Sequence, residues 1–156
     1  MAKLVSLIGA SPGTAHTTAC LLLSQGVHIT KCILVATMEQ VANEAEHILR
    51  TCKCPNTGKP PLMHTEKIIL PFSDVKNAEH LRILREKLAK ILDTNTILDI
   101  TGGRKTMAVA AAIEALNHGA TLVASIIPDK LYDQLRKAKT PCQRTAPDKA
   151  WIIRIT

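Results

Sequence analysis

Aromatic residues are nearly missing from this chain, which has one Trp, one Tyr and one Phe in 156 residues. That scarcity excludes a sheet that reads bases by stacking them on aromatic side chains, as RNA-recognition modules and single-strand binders do. No apolar run approaches the length needed to span a bilayer. Met1 to Ile8, with one Lys and a short apolar run ahead of a glycine turn, is a first strand and not a signal peptide. The five cysteines, Cys20, Cys32, Cys52, Cys54 and Cys142, form no regular framework. Their expected state is therefore free thiols in a reducing cytoplasm, with a disulfide expected only if the source is a hyperthermophile. Cys52-Lys53-Cys54 has C-x-C spacing, not the C-x-x-C of zinc knuckles, so no metal is expected despite His47 and His64 nearby. Paired carboxylates and a nucleophile elbow are also absent, which leaves covalent or two-metal hydrolysis unsupported.

What is present is aliphatic and basic. At 46% hydrophobic residues the chain is long enough to bury the core of one domain. Its net charge of +7 favours an anionic partner. Strand-like runs cover Leu4 to Ile8, Lys31 to Ala36, Lys67 to Leu70, Ile97 to Ile100, Leu122 to Ile127 and Trp151 to Ile155. Between them, helical periodicity covers Thr17 to Ser24, Glu39 to Thr51, Asn77 to Leu92, Thr106 to Asn117 and Asp129 to Lys139. Residues 52–66, with Pro55, Gly58, Pro60 and Pro61, are expected to be a long loop or a small excursion, mobile on the simplest reading. Continuous aliphatic strands alternating with helices imply an α/β, Rossmann-like domain: a mostly parallel sheet of about six strands with helices on both faces.

The stretch Thr96 to Met107 carries the chemistry, because an apolar strand ends there in Gly102-Gly103-Arg104-Lys105 and opens an alanine-rich helix. A helix N-terminus presents unpaired N–H groups and partial positive charge, so adjacent cations there imply an anion among them. Phosphate is the natural candidate. In an open sheet of order 3-2-1-4-5, ligands bind outside the carboxyl ends of strands 1 and 4, where the winding reverses. That order brings the turn Gly9-Ala10-Ser11-Pro12-Gly13-Thr14-Ala15-His16 beside Thr101-Gly102-Gly103-Arg104-Lys105. Thr14 and Thr17 offer hydroxyls that also suit helix capping, and Ser11, earlier in the turn, is the stronger ligand contact.

Neither loop is a standard nucleotide fingerprint. Gly9-x-x-x-Gly13 lacks the G-x-G-x-x-G pattern, and Thr37 and Met38 stand where an acidic residue would hold a ribose. Gly103-Arg104-Lys105-Thr106 fails the P-loop spacing. A nicotinamide enzyme and a nucleoside triphosphatase are thereby disfavoured, and no cofactor is expected. His16 is expected to pack or cap, and Asp99 to hold the basic loop in register rather than act as a base.

With Ser11 in the first turn and Asp99-Ile100-Thr101-Gly102-Gly103-Arg104-Lys105-Thr106-Met107 after the fourth strand, the chain resembles the CRISPR-associated Rossmann fold family. The resemblance implies a homodimer whose paired pockets bind cyclic oligoadenylate, the second messenger of type III CRISPR defence. Ending at Thr156, just after the last strand, the chain looks like a stand-alone member of the ring nuclease kind, which opens cyclic tetra-adenylate without a metal. On that reading Ser11 and Lys105 are catalytic. Gly9, Ala10, Thr14, Thr17, Thr101, Gly102, Gly103, Arg104 and Thr106 bind the ring. A non-catalytic sensor or sink acting through a partner needs the same pocket and stays open as an alternative. A duplex- or RNA-binding protein is disfavoured by the lack of aromatics and of a helix-turn-helix pattern.

Overall fold

A computed structural model describes residues 1–61 and 64–156. Its elements run β1 (Ala2–Leu7), α1 (Thr14–Ser24), β2 (Ile29–Ala36), α2 (Glu39–Thr51), β3 (His64–Ile69), α3 (Ala78–Ala89), β4 (Thr96–Asp99), α4 (Lys105–Asn117), β5 (Thr121–Ile126), α5 (Asp129–Lys137) and β6 (Trp151–Arg154). A short 3₁₀ turn, Pro141–Arg144, lies between α5 and β6. The strands form one sheet of order β3-β2-β1-β4-β5-β6. All neighbours are parallel except β6, which pairs antiparallel with β5 at the edge. The expected architecture and its winding reversal between β1 and β4 are both present.

Both faces of the central strands are dry, and this explains why the sequence alternates so little there. Val5 and Leu7 pack with Leu84, Leu88, Leu98, Met107 and Ala111 under α3 and α4. Leu4, Leu34 and Ile8 pack with Ala15, Ala19, Ala42 and Leu49 under α1 and α2. Each fully buried leucine in these layers contributes about 1.5–3 kcal/mol, so the central strands hold the sheet rigidly beneath the loops at its carboxyl end. Among the described residues no helix is long and apolar enough to cross a membrane.

Two local expectations need correction. The third strand starts at His64, three residues before the expected Lys67, because Thr65 and Glu66 pair with Cys32 and Ile33 of β2 and extend the ladder through polar residues. Four of the five cysteines are not free thiols. Cys20 is bonded to Cys54 and Cys52 to Cys142, leaving Cys32 free and buried. Consequently the segment 52–66, expected to be mobile, is fastened at Cys52 and Cys54 and turned by hydrogen bonds from Cys54 N to Lys59 O and Gly58 N to Cys54 O. Residues 62 and 63 of that segment lie outside the described residues.

Candidate active site

At the carboxyl ends of β1 and β4 the two expected loops meet backbone to backbone. A Cβ on Gly9 would stand 2.7 Å from Gly103 N, and one on Gly102 would stand 2.4 Å from Leu7 O. Only glycine permits that approach, and Gly103 also takes φ +84°, a conformation L side chains rarely adopt. The result is a cleft of about 510 Å³ lined by Gly9, Ala10, Ser11, Thr101, Gly102, Gly103 and Arg104 from the two loops. Thr37, Met38, Asp74, Tyr132 and Arg136 close its other sides.

Asp99 sets the second loop. Fully buried at the end of β4, it accepts hydrogen bonds from Ser6 Oγ (2.6 Å), from Thr101 N (2.9 Å) and from the Thr101 hydroxyl. Thr101 Oγ1 in turn accepts from Ser125 N at 2.8 Å. Burial pushes the Asp99 carboxyl up, against the pull of the Ser6 and Thr101 donors. The carboxylate therefore holds the loop in register, as expected, and the Thr101 hydroxyl is engaged inside the protein; that residue contributes to the cleft as lining rather than as a free hydroxyl.

Ser11 is different. It is 7% exposed, faces the cleft, and its Oγ has no hydrogen-bond partner among the described residues. An unpaired buried hydroxyl costs about 1–3 kcal/mol, which a ligand oxygen at this position would recover. Tyr132 lies beside it, close enough for the Ser11 hydroxyl to favour the phenolate slightly but outside hydrogen-bond geometry; burial outweighs this and pushes the phenol up. The Tyr132 phenol is thus neutral at physiological pH.

The start of α4 supplies the charge. Arg104 occupies its N-cap position without a capping side-chain bond, Lys105 is its first residue, and the first turn holds no acid. Arg104 is held by a two-pronged pair with Asp74, at 2.8 and 2.9 Å. Lys105 has no ion-pair partner among the described residues, and with Thr106 it lines a second groove between α3 and α4 rather than this cleft. The two remaining candidates also sit elsewhere. Thr14 donates to Ser11 O, and Thr17 donates to Gly13 O while accepting from Ala146 N, so both brace the turn from inside and neither lines the cleft. No side chain caps α1, which begins at Thr14 instead of Thr17.

His16 is a packing residue, as expected. Completely buried, it donates from Nε2 to Cys52 O at 2.8 Å, leaving Nδ1 to accept from Thr145 Oγ1 at 2.6 Å, and burial lowers its pKa. Sequence reasoning missed Asp74, Tyr132 and Arg136. Their one available signal was position, since Asp74 follows β3 and the other two follow β5 at the same end of the sheet as the glycine loops.

No protein-family model matches the chain. It is 36% identical over 138 residues to a CRISPR system ring nuclease of Saccharolobus solfataricus, a match covering 88% of this chain and 78% of that protein. The chain belongs to the CRISPR ring nuclease family. Among solved structures, the fold is similar to Can2 from Sulfobacillus thermosulfidooxidans in complex with cyclic tetra-adenylate, with TM-score 0.50, 18% identity, 78% of this chain and 31% of that one. It is similar also to a type III CRISPR defence DNA nuclease activated by cyclic oligoadenylate, with TM-score 0.56, 14% identity, 84% of this chain and 19% of that one. At those identities the likeness is one of fold, and this chain spans less than a third of either longer one.

Proposed function

We propose that the protein is a metal-independent cyclic oligoadenylate phosphodiesterase that opens cyclic tetra-adenylate. A ribose 2′-OH attacks the adjacent phosphorus in line, the 5′-oxygen leaves with a proton, and the linear product ends in a 2′,3′-cyclic phosphate. The observation that carries this reading is the unpartnered Ser11 hydroxyl, held in one cleft with the Gly102–Gly103 backbone. In such a reaction the nucleophile belongs to the substrate, so the protein has mainly to align ribose and phosphate and to stabilise charge on the phosphorane. Ser11 aligns the ribose or phosphate, the glycine amides cradle a phosphate oxygen, and Lys105 supplies the free positive charge. Arg104, already neutralised by Asp74, orients the loop and binds the ring more weakly.

A cleft of about 510 Å³ suits a ligand of ordinary small-molecule size, so a ring of four nucleotides calls for two clefts. We place them in a homodimer, which matches the two-fold symmetry of the ring. Its support is unpartnered apolar surface: Val109, Ile113 and Leu116 on α4 and Trp151 and Ile153 on β6 are 42% exposed or more. Lys105, the first residue of α4, directly follows the cleft-lining Arg104, and we place its ammonium on the ring from there. The setting we propose is the cytoplasm, where the two disulfides must withstand the thiol pool.

Incubation with cyclic tetra-adenylate in EDTA, with products resolved by chromatography and mass, tests the reading. Linear adenylates ending in 2′,3′-cyclic phosphate, and no reaction on a 2′-O-methylated ring, are expected. Metal-dependent products bearing a 5′-phosphate would overturn it, and tight binding without turnover would make the protein a sensor or sink. Sedimentation at micromolar concentration checks the dimer, which a monomer with and without ligand would refute.

A further inference from the structure

The connection from β5 to β6 carries Tyr132 and Arg136 into the cleft, yet little apolar surface holds it down. In α5 only Leu135 is buried, and no residue of the 3₁₀ turn Pro141–Arg144 is. Its own core is small: Ile127, Leu135 and Ala146 are buried, with Leu131, Tyr132 and Ala150 packed half-buried against them. The other attachments named here are polar or covalent, and they converge on the start of α1, on the outer side of α2 and on the residue just past it. Thr145 Oγ1 meets His16 Nδ1 at 2.6 Å and Thr17 Oγ1 at 3.0 Å, and Arg144 pairs with Glu44. Arg144 O lies so close to Gly13 that a Cβ there would be 1.9 Å away. Cys142 is bonded to Cys52, just past the end of α2.

We propose that the Cys52–Cys142 disulfide is a positioning element of the site: it presses the connection onto α1 and so places Tyr132 and Arg136 over the Ser11 end of the cleft. Cys20–Cys54 joins α1 to the segment after α2 and forms no covalent link to the β5–β6 connection, so it serves as the comparison bridge; its Cys20 sulfur stands 3.5 Å from His16 Nε2. The inference rests on the proposed ring-opening reaction for its kinetic consequence, but its structural consequence is visible without any ligand. Tyr132 is the sole tyrosine of the chain, so tyrosinate absorbance reports its surroundings alone. In the native protein burial holds the phenol above its ordinary value, and released from the cleft it should titrate at about 10.

The test compares the wild-type protein with Cys142→Ser, Cys52→Ser and Cys20→Ser, each by tyrosinate titration, by amide exchange over residues 129–146, and by steady-state cleavage of cyclic tetra-adenylate. Selective reduction and alkylation of the wild-type protein is a second route should a variant fail to fold. Loss of the Cys52–Cys142 bridge is expected to lower the Tyr132 pKa, to speed exchange in 129–146 at least tenfold, and to raise KM at least fivefold, with exchange in β1 and β4 unchanged. Cys20→Ser should leave the Tyr132 titration and KM as they were. An unchanged titration and exchange pattern in Cys142→Ser would overturn the proposal, as would faster exchange without a change in KM. If the wild-type protein itself leaves the ring intact, the proposed reaction fails, and the titration and exchange arms still decide the tether.

Discussion

Replacing Ser11 by alanine should make the protein more stable and much less active, a combination that a purely structural serine would not give. The side chain is 7% exposed with an unpaired oxygen, so in the free protein it bears a desolvation cost of about 1–3 kcal/mol that a methyl group in its place would not. Allowing for the small void left behind, the net gain is about 1 kcal/mol, or roughly 2–4 °C in Tm for a domain of this size. Against that, a neutral hydroxyl adds only about 1 kcal/mol to ring binding, whereas lost alignment in an in-line displacement costs on the order of a hundredfold in rate. Urea unfolding without ligand gives the first quantity and single-turnover cleavage of labelled cyclic tetra-adenylate the second. A destabilised variant would mean that Ser11 Oγ has an internal partner, and a rate within threefold of wild type would remove the serine from the reaction.

Lys105→Ala should weaken ring binding at least fivefold and abolish turnover, because it removes the unpaired cation at the start of α4; activity retained within threefold would end that role. Gly102→Ala puts a Cβ 2.4 Å from Leu7 O, so the cradle must shift: an expected loss of about 1–3 kcal/mol in unfolding free energy with loss of ligand binding, checked by denaturation and calorimetry. His16 is buried neutral with a lowered pKa, so its contribution is complete above the ordinary value of about 6.5 and is lost as pH falls below it toward the native value. Unfolding free energy should then drop by up to about 1.4 kcal/mol per pH unit there. A flat profile, or one unchanged in His16→Asn, would contradict that assignment.

The sheet was legible because its central strands are buried on both faces, and continuous aliphatic runs such as Leu4 to Ile8 have no other simple explanation. The two glycine loops were legible for a related reason, since sheet order alone makes them neighbours. Side-chain direction was not. Arg104 and Lys105 are adjacent in sequence, yet the first turns to Asp74 in the cleft and the second to the groove beside α3, a divergence set by the helix start between them. The disulfides were equally hidden, because partners 34 and 90 residues apart are paired by packing and not by spacing. Tyr132 reaches the cleft through the same folded-back connection, which strand periodicity does not describe.

The pairing of β1 with β4, marked by the hydrogen bond from Ser6 to Asp99, joins residues 93 positions apart. During synthesis the first wall of the cleft therefore leaves the ribosome well before the second, a gap of about 5–20 s at ordinary elongation rates. Through that interval β1 and β2 can pair, but Gly9 has no Gly103 to meet and the ligand has nowhere to bind. Contacts of such long range also slow folding, since the chain between them must be ordered before they form. A chain cut before β4 thus has only one wall of the cleft, and the second is added when β4 pairs with β1.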